Sequence, residues 1–397
     1  MISGANLRNR GRNLIFLLSQ PRSGSTLLQK ILGAHPEIHT VSEPWIALPP
    51  LFALRDHGVA ADYDHELARS ALREFLQQLP EGEAAYWDSA RLMLSHLYER
   101  SLAGSGKTFF LDKTPRYYFV IPELRRVFPD ARFVFLFRNP LAVLASILQT
   151  WVKNEDAGRL RAHWHDLVVA PQRLLDGVRS FTPDEIVVRY EELVSAPETV
   201  IRSLCERLEV PFFPEMIEYG AAPSRTQWLF GDQGTVYEKS SPVRGRVDRW
   251  REVLKTSPIW QSWAGAYLAD LGPALVAELG YDFESLGKDL LEATAPSNWM
   301  SKIPNFSEKL EPAAAAMGLL HGVLLEQQRA QNVIHDLQQR ATILEAAAAE
   351  RLVALEEKER VIHSLSAELS ARLVVINELE QRGKIFEAAA AERLVGS

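Results

Sequence analysis

A short, uniformly apolar segment that leads directly into a glycine turn and a helix constrains the fold of this chain more than any other feature. Residues 14–18 (LIFLL) are all apolar, which is typical of a strand buried on both faces of a sheet. The turn that follows contains Gly24 and small hydroxyl residues, and Leu27, Leu28 and Ile31 come next at helical spacing. Backbone N–H groups at the start of such a helix bind anions. The segment therefore predicts a strand, an anion-binding turn and a helix in succession.

Other apolar segments alternate with helical patterns along the first part of the chain. Residues 133–137 and 186–188 are typical of further buried strands, and each leads into polar residues where a helix begins. This alternation predicts an α/β fold in which a P-loop-like parallel sheet of about four or five strands is flanked by helices. Ligands bind such sheets at the carboxyl ends of the strands. Residues 45–105 carry apolar side chains at helical spacing, which predicts a helical insertion suited to shaping an acceptor pocket.

The distribution of aromatic residues divides the chain into two parts. All nine tryptophans and all ten tyrosines lie at or before Trp299. We therefore expect a compact domain over residues 1–290, followed by a linker over residues 291–312 that contains three prolines.

Residues 313–397 have a different pattern, in which leucine, isoleucine and alanine recur at three- and four-residue spacing. The segment at 345–353 (EAAAAERLV) recurs at 387–395, and this offset of 42 residues equals six heptads. Both copies therefore place their apolar residues on the same face of a helix. The pattern predicts a helical coiled-coil region that mediates homo-oligomerisation or docks a partner. A solvated, partly helical tail with no specific partner is the alternative.

Composition excludes several classes of function. A net charge of −7 argues against a broad nucleic-acid surface, and a single cysteine, Cys205, excludes an internal disulfide bond. Residues 14–18 are too few to span a membrane, and no targeting segment is apparent. Cysteine and histidine do not cluster as they do in metal sites. We expect a cytoplasmic protein that needs no metal, binds no nucleic acid and has no membrane span.

The residues at the strand ends distinguish this predicted site from that of a nucleotide triphosphatase. In the motif of that class, Ser19 stands where the first glycine would be and Ser25 stands where the lysine would be, while Arg22 supplies a cation within the turn. The strand at 133–137 ends in Arg138 rather than in the aspartate that would hold Mg²⁺. Two cationic phosphate sites without a metal carboxylate indicate a donor with two phosphate positions, used without Mg²⁺.

These motifs resemble those of the sulfotransferases that use 3′-phosphoadenosine 5′-phosphosulfate (PAPS). The similarity covers roughly residues 12–285 and is greatest to the tyrosylprotein sulfotransferase-like branch and its bacterial relatives. It implies the sulfotransferase fold and a set of donor-binding residues. That set comprises the 5′-phosphosulfate loop, the 3′-phosphate motif, a later tyrosine and the closing loop: Arg22, Ser23, Gly24, Ser25, Thr26, Arg138, Ser146, Tyr190, Lys239 and Arg246.

Two positions depart from the pattern of these relatives. Thr150 stands where they carry an arginine directed at the 3′-phosphate, and Ser241 stands where they carry a lysine in the closing loop. Lys239, Arg244 and Arg246 lie near enough along the chain to take the place of that lysine.

The resemblance also implies the catalytic residues Glu43, Arg22 and Lys113. Glu43 follows Arg22 by 21 residues, which is the spacing between loop arginine and general base in the tyrosylprotein branch. A carboxylate beside the apolar Trp45 is suited to accept a proton, although Glu43 would alternatively be a helix cap or an ion-pair partner. Arg22 and Lys113 would stabilise charge on the leaving phosphate. For Lys113 the alternatives are an ion pair with Asp112 or a solvated surface charge.

The leading hypothesis is therefore in-line transfer of a sulfuryl group from PAPS to a hydroxyl of a carbohydrate, a tyrosine or another small acceptor. One alternative is a P-loop kinase for a small molecule, against which Arg138 and Ser25 argue. The other is an inactive nucleotide-binding scaffold that acts through its coiled coil.

Overall fold

A computed structural model describes residues 10–56, 58–181, 185–218, 242, 247–291, 341, 345, 351–352 and 355–385. The chain divides into two compact units, Met1–Ala314 and Ala315–Ser397.

The first unit is built on a sheet of five parallel strands in the order β2-β3-β1-β4-β5. The strands are β1 (Leu14–Ser19), β2 (Ile38–Thr40), β3 (Phe109–Asp112), β4 (Arg132–Phe137) and β5 (Ile186–Arg189). The predicted α/β fold with a parallel sheet is confirmed, and β1, β4 and β5 coincide with the three apolar segments. The sequence did not reveal β2 and β3, which are only three and four residues long.

Helices connect the strands and cover both faces of the sheet. They are α1 (Ser25–Gly33), α2 (Leu48–Phe52), α3 (His65–Gln77), α4 (Glu83–Ala103), α5 (Ile121–Val127), α6 (Pro140–Ile147), α7 (Ala157–Ala162), α8 (Ala170–Phe181), α9 (Tyr190–Ser195), α10 (Pro197–Arg207), α11 (Arg249–Lys255), α12 (Pro258–Glu278) and α13 (Phe283–Leu291). A 3₁₀ turn at Pro115–Phe119 and π turns at Leu148–Val152 and His165–Val169 lie between them. The predicted helical insertion corresponds to α2, α3 and α4.

The central strand β1 explains why its sequence is uniformly apolar. Phe16 packs in one apolar layer with Phe133, their rings 5.3 Å apart, whereas Ile15 and Leu17 lie in the layer on the opposite face. Residues 14–18 of this strand are 3% exposed or less, because helices cover the sheet on both sides. The sheet therefore holds the carboxyl ends of β1, β3 and β4 in a fixed row.

The second unit contains a helix over residues 355–385, and the described side chains of that helix are exposed. The helical part of the C-terminal prediction is confirmed, while the coiled coil stays a prediction. Most of the predicted linker and the second copy of the repeat lie outside the described residues. Among the described helices, we find none that is both long and apolar enough to cross a membrane.

Candidate active site

The turn after β1 has a backbone conformation that requires glycine. Gly24 is the N-cap of α1 and lies in the left-handed region, with φ of 90°. The ring of Tyr190, at the end of β5, packs directly against it, so that a Cβ at position 24 would approach Tyr190 Cδ2 to 2.3 Å. Arg22 in the same turn also has a positive φ, of 68°. The turn therefore presents the start of α1 without a side chain at its centre.

The two arginines singled out from the sequence lie together, because β1 and β4 are adjacent and parallel. Arg138 Nη1 donates to the carbonyl oxygen of Arg22 at 2.9 Å, and Arg22 Nε donates to Ser146 Oγ at 3.0 Å. The guanidinium of Arg138 lies over the ring of Tyr190, 4.3 Å from its centroid. One cradle at the carboxyl end of the sheet is thus surrounded by Arg22, Arg138, Ser146 and Tyr190.

Several donors in this cradle are buried and have no partner within the described part of the chain. They are Ser19 Oγ, Ser23 Oγ and Arg138 Nε. Burial lowers the pKa of the Arg138 guanidinium, and the nearby Arg22 acts in the same direction. Unsatisfied buried donors and crowded positive charge are costly unless a ligand completes them. A phosphate fits this set, because its oxygens accept hydrogen bonds and its charge offsets both guanidinium groups.

Glu43 and Lys113 form a buried ion pair beside the same turn. Lys113 follows β3 directly, and its Nζ donates to Glu43 Oε1 at 2.7 Å. The same ammonium contacts Thr26 Oγ1 at 3.4 Å, which joins the pair to the first turn of α1. The Trp45 indole donates to Glu43 Oε2 at 3.3 Å. Glu43 is thus an ion-pair partner, as one alternative held, and its partner belongs to the site.

The two alternatives considered for Lys113 are wrong. Its side chain is 1% exposed, so it is not a solvated surface charge. Its ion pair is with Glu43, whereas Asp112 accepts hydrogen bonds from the hydroxyls of Tyr98, Tyr117 and Thr114. Side chains of consecutive residues in a strand point to opposite faces of the sheet, so Asp112 and Lys113 at the end of β3 have different partners.

A second buried cluster surrounds Asp166, a residue that no sequence motif singled out. Arg116 donates to both of its oxygens, through Nε at 3.2 Å and Nη2 at 3.0 Å, and Tyr118 donates at 2.8 Å. Burial by itself would raise the pKa of Asp166, but Arg116 and His163 hold it well below its usual range. The Arg116 guanidinium also lies 5.7 Å from the ring centroid of Trp45. This cluster therefore reaches the segment that carries Glu43.

The later motifs of the resemblance meet at the far side of the cradle. Glu191 Oε1 accepts the backbone N–H of Asn139 at 2.9 Å, and Tyr281 donates its hydroxyl to Glu191 Oε2 at 2.8 Å. Asn139 in turn caps α6, the helix that carries Ser146. Glu191 was not among the predicted site residues, although its neighbour Tyr190 was. Glu191 reaches the backbone of Asn139 because β4 and β5, which end just before these two residues, are paired in the sheet.

Not every predicted site residue can be placed. Lys239 and Arg246 lie outside the described residues. Ser25 and Thr26 form the first turn of α1, beside the cradle. Thr150 belongs to the π turn that follows α6. Within the described ranges, no group of three or more histidine, cysteine, aspartate or glutamate side chains is arranged to hold a metal ion.

A five-stranded parallel sheet with a glycine turn after its central strand and an arginine directly after the adjacent strand β4 defines a P-loop-like α/β fold. The sequence profile of the sulfotransferase family matches residues 14–215. That match covers more than half of the chain, and the chain belongs to the sulfotransferase family.

Individual relatives agree with this assignment. The nodulation protein NoeE of Sinorhizobium fredii is 30% identical over 68% of this chain and 66% of its own length. The protein-tyrosine sulfotransferase A of Caenorhabditis elegans is 24% identical over 53% of this chain and 53% of its own length. The chain thus spans less than two thirds of these relatives. Among solved structures, the sulfotransferase domain from the curacin biosynthetic pathway is 20% identical, with a TM-score of 0.43, over 68% of this chain and 97% of that domain.

Proposed function

We propose that the chain transfers a sulfuryl group from PAPS to a hydroxyl acceptor by in-line displacement, with Glu43 as the general base. One observation carries this proposal. The cradle that contains Arg22 and Arg138 is joined, through Thr26, to the buried Glu43–Lys113 pair. This supports a proposed phosphate-binding site and a proposed base at the same turn, as transfer between a donor and an acceptor requires.

The cradle supports a donor with phosphates at two positions. Arg22, Ser23 and the N–H groups at the start of α1 would hold the 5′-phosphosulfate. Arg138 and Ser146 would hold the 3′-phosphate, and Tyr190 would contact the nucleotide. The bond from Arg22 Nε to Ser146 Oγ, at 3.0 Å, brings the two groups close together, and this supports a single nucleotide bound by both. Neither a lysine in the turn nor an aspartate after β4 is present to support a Mg²⁺-nucleotide instead.

The proposed chemistry assigns one task to each charged side chain. Glu43 accepts the proton of the acceptor hydroxyl, while Lys113 and the Trp45 indole orient its two oxygens. Arg22 and Lys113 stabilise the negative charge that grows on the phosphate as the bond to sulfur breaks. Because Lys113 is buried and Glu43 is largely buried, their charges act through a medium of lower dielectric than water.

The acceptor is a hydroxyl of a carbohydrate, a tyrosyl side chain or another small molecule. The name of the C. elegans relative, a protein-tyrosine sulfotransferase, supports a tyrosyl acceptor. Helices α2, α3 and α4 follow Glu43 along the chain and would shape the acceptor pocket. A screen of labelled PAPS against sugars, tyrosyl peptides and phenols identifies the acceptor class.

Calorimetry tests the donor assignment. We expect 3′,5′-adenosine bisphosphate, without metal, to bind more tightly than Mg·ATP. The reverse order would support the small-molecule kinase instead.

The base assignment is tested with Glu43→Gln, which keeps the shape of the side chain and removes its basicity. We expect transfer of labelled sulfate to fall by about 10²- to 10⁴-fold while 3′,5′-adenosine bisphosphate still binds. Unchanged transfer would overturn the role of Glu43. Binding without any transfer in the unaltered chain would favour the inactive scaffold.

Three further proposals rest on the sequence pattern. Residues 1–290 would be the catalytic domain, residues 291–312 the linker and residues 313–397 a coiled coil that joins copies of the chain or docks a partner. A reducing, cytoplasmic location would suit Cys205, whose thiol is buried with its pKa raised to about 11 by that burial. We propose that catalysis needs no metal.

A further inference from the structure

Asp112 is a buried carboxylate at the end of β3 to which the proposed mechanism assigns no role. It is 1% exposed and accepts three hydroxyl hydrogen bonds. Tyr98 donates to Oδ2 at 2.6 Å, Tyr117 donates to the same oxygen at 3.0 Å, and Thr114 donates to Oδ1 at 3.0 Å. A buried polar network whose members are all satisfied holds the groups that it joins in one arrangement.

Two of these hydroxyls also bind the backbone of the segment that carries Glu43. The Tyr117 hydroxyl accepts the N–H of Ala47 at 3.2 Å. The Thr114 hydroxyl accepts the N–H of Trp45 at 3.4 Å. Asp112 thus reaches the segment 43–47 by two separate arms, each made of one hydroxyl that donates to the carboxylate and accepts from the backbone.

The segment held in this way has an unfavourable local conformation. Trp45 has φ of 56°, in the left-handed region that bulky residues rarely adopt. Such a backbone persists only where surrounding contacts determine it. The Trp45 indole is the group that donates to Glu43 Oε2, so the conformation of residue 45 also orients the carboxylate.

We propose that Asp112 is a positioning residue that holds the general base in place through the hydroxyls of Thr114 and Tyr117. This inference rests on the proposed function of Glu43 as the base. Three consecutive residues then have complementary tasks. Lys113 binds the Glu43 carboxylate, and Thr114 binds the backbone N–H of Trp45. Asp112 orients the hydroxyls of Thr114 and Tyr117 so that their lone pairs face the backbone of the segment 43–47.

The ionised form of Asp112 suits this arrangement and the protonated form does not. A carboxylate only accepts hydrogen bonds, and all three neighbouring hydroxyls donate to it. A proton on Oδ1 would oppose the hydrogen bond from Thr114, and a proton on Oδ2 would oppose one of the two from Tyr98 and Tyr117.

The groups that face Asp112 are Tyr98 of α4, Thr114 and Tyr117 of the segment after β3, and the adjacent Lys113. Burial raises the pKa of Asp112 to about 6, against the lowering effect of the three hydroxyls and Lys113. The arms should therefore weaken as the pH falls through this value.

Amide hydrogen exchange tests the arms without relying on turnover. In the full-length chain we compare Tyr117→Phe and Thr114→Val with the unaltered protein. We expect exchange at Ala47 to speed up roughly tenfold or more in the first variant, and exchange at Trp45 to do so in the second. Tyr267→Phe is the matched control, because this buried tyrosine donates to the carbonyl oxygen of Leu167 instead.

Turnover adds a readout that a purely structural role would not change. With the acceptor found in the PAPS screen, Tyr117→Phe should lower kcat by about 10- to 100-fold and leave the KM for PAPS within about threefold. Exchange at each pH is compared with the intrinsic rate of an unprotected amide, which itself slows as the pH falls. In the unaltered protein, the protection of the Trp45 and Ala47 amides should decrease below about pH 6, and in Asp112→Asn it should be low at every pH.

Two results would overturn the inference. One is exchange at Trp45 and Ala47 that is the same in Tyr117→Phe, Thr114→Val and the unaltered protein. The other is faster exchange together with an unchanged kcat, which would limit Asp112 to a structural role. If 3′,5′-adenosine bisphosphate did not bind at all, the proposed function would fail, while the exchange result would still decide whether the arms exist.

Discussion

At the scale of single residues, the site depends on its polar side chains and on the absence of a Cβ at Gly24. Gly24 leaves room for the ring of Tyr190, which in turn supports the guanidinium of Arg138. One missing Cβ therefore permits a stack of three residues from three different elements. The predictions at this scale alter one residue of that stack, or one residue of the Asp166 cluster.

Gly24→Ala should abolish binding of 3′,5′-adenosine bisphosphate. The new Cβ would overlap the Tyr190 ring, and an alanine in the left-handed region costs about 1–2 kcal/mol in addition. Isothermal titration measures the loss. Gly265→Ala is the control, because its Cβ would meet no atom within 4 Å, and it should bind normally. Normal binding by Gly24→Ala would show that the turn does not contact the nucleotide.

Arg138→Ala should weaken binding of the same bisphosphate about 10- to 100-fold, the effect of losing a charge-assisted hydrogen bond of about 1.5–3 kcal/mol. Arg132→Ala is a matched control from the other end of β4, where Arg132 pairs with the exposed Glu209. Titration of both variants checks the prediction. Equal affinities for the two variants would remove Arg138 from the phosphate site.

Asp166→Asn should destabilise the fold by about 3–5 kcal/mol at neutral pH, because it leaves the charge of Arg116 without its partner. The pKa of Asp166 is lowered in the folded state, so its contribution is present above the ordinary aspartate pKa of about 4 and is lost as the pH falls further. Urea denaturation of both proteins at several pH values should show a constant difference above pH ~4 that shrinks below it. A difference that did not depend on pH would contradict the ion-pair assignment.

At the scale of elements, the shortest strands carry much of the chemistry. The four-residue β3 ends at Asp112 and is followed by Lys113 and Thr114, all of which act on the segment that carries Glu43. Helix α4 packs over this region, and its Tyr98 donates to Asp112. The position of β3, and with it that of the proposed base Glu43, therefore depends on the packing of α4 against the sheet.

Leu94→Ala in α4 should cost about 2–5 kcal/mol, since the side chain is fully buried and its removal leaves a cavity. Leu97→Ala, one turn further along the same helix, should change stability by less than about 0.5 kcal/mol, because Leu97 is 46% exposed. Denaturant titration of both variants measures the difference. Similar costs at the two positions would mean that α4 packs differently from the structure described.

At the scale of the whole molecule, the chain combines a globular unit with a helical one. In the helix over residues 355–385, leucine and isoleucine side chains remain about half exposed or more, at Leu355, Ile362, Leu365, Leu369, Ile376 and Leu379. Their spacing is that of a heptad repeat. Such a face is expected to be buried against another helix, and this is the physical basis of the predicted coiled coil.

Sedimentation velocity tests the coiled coil in the full-length chain. We expect an oligomer that Leu365→Lys and Leu369→Lys together convert to a monomer, because two ammonium groups in the seam oppose its burial. Ala367→Lys, on the opposite face of the same helical turn, should leave the oligomer intact. A monomer before any substitution would favour the solvated-tail alternative.

Much of the fold could be predicted because strand burial and helix periodicity are local properties. The uniform apolarity of residues 14–18 marks a strand covered on both faces, and the polar residues after 133–137 mark the end of another. By contrast, β2 contains His39 and Thr40 and lies at the edge of the sheet, so it shows no apolar segment. Short edge strands are identified by their partners rather than by their own pattern.

The sequence by itself determined the parallel sheet, the glycine turn after β1 and the residue types at both strand ends, since each of these depends on neighbours within a few positions. Only the tertiary structure decided that Lys113 binds Glu43, that Asp166 binds Arg116 and that Asp112 reaches residues 45 and 47 through two hydroxyls. The physical reason is that a buried polar group takes the partner that register and packing place beside it, however distant that partner is along the chain.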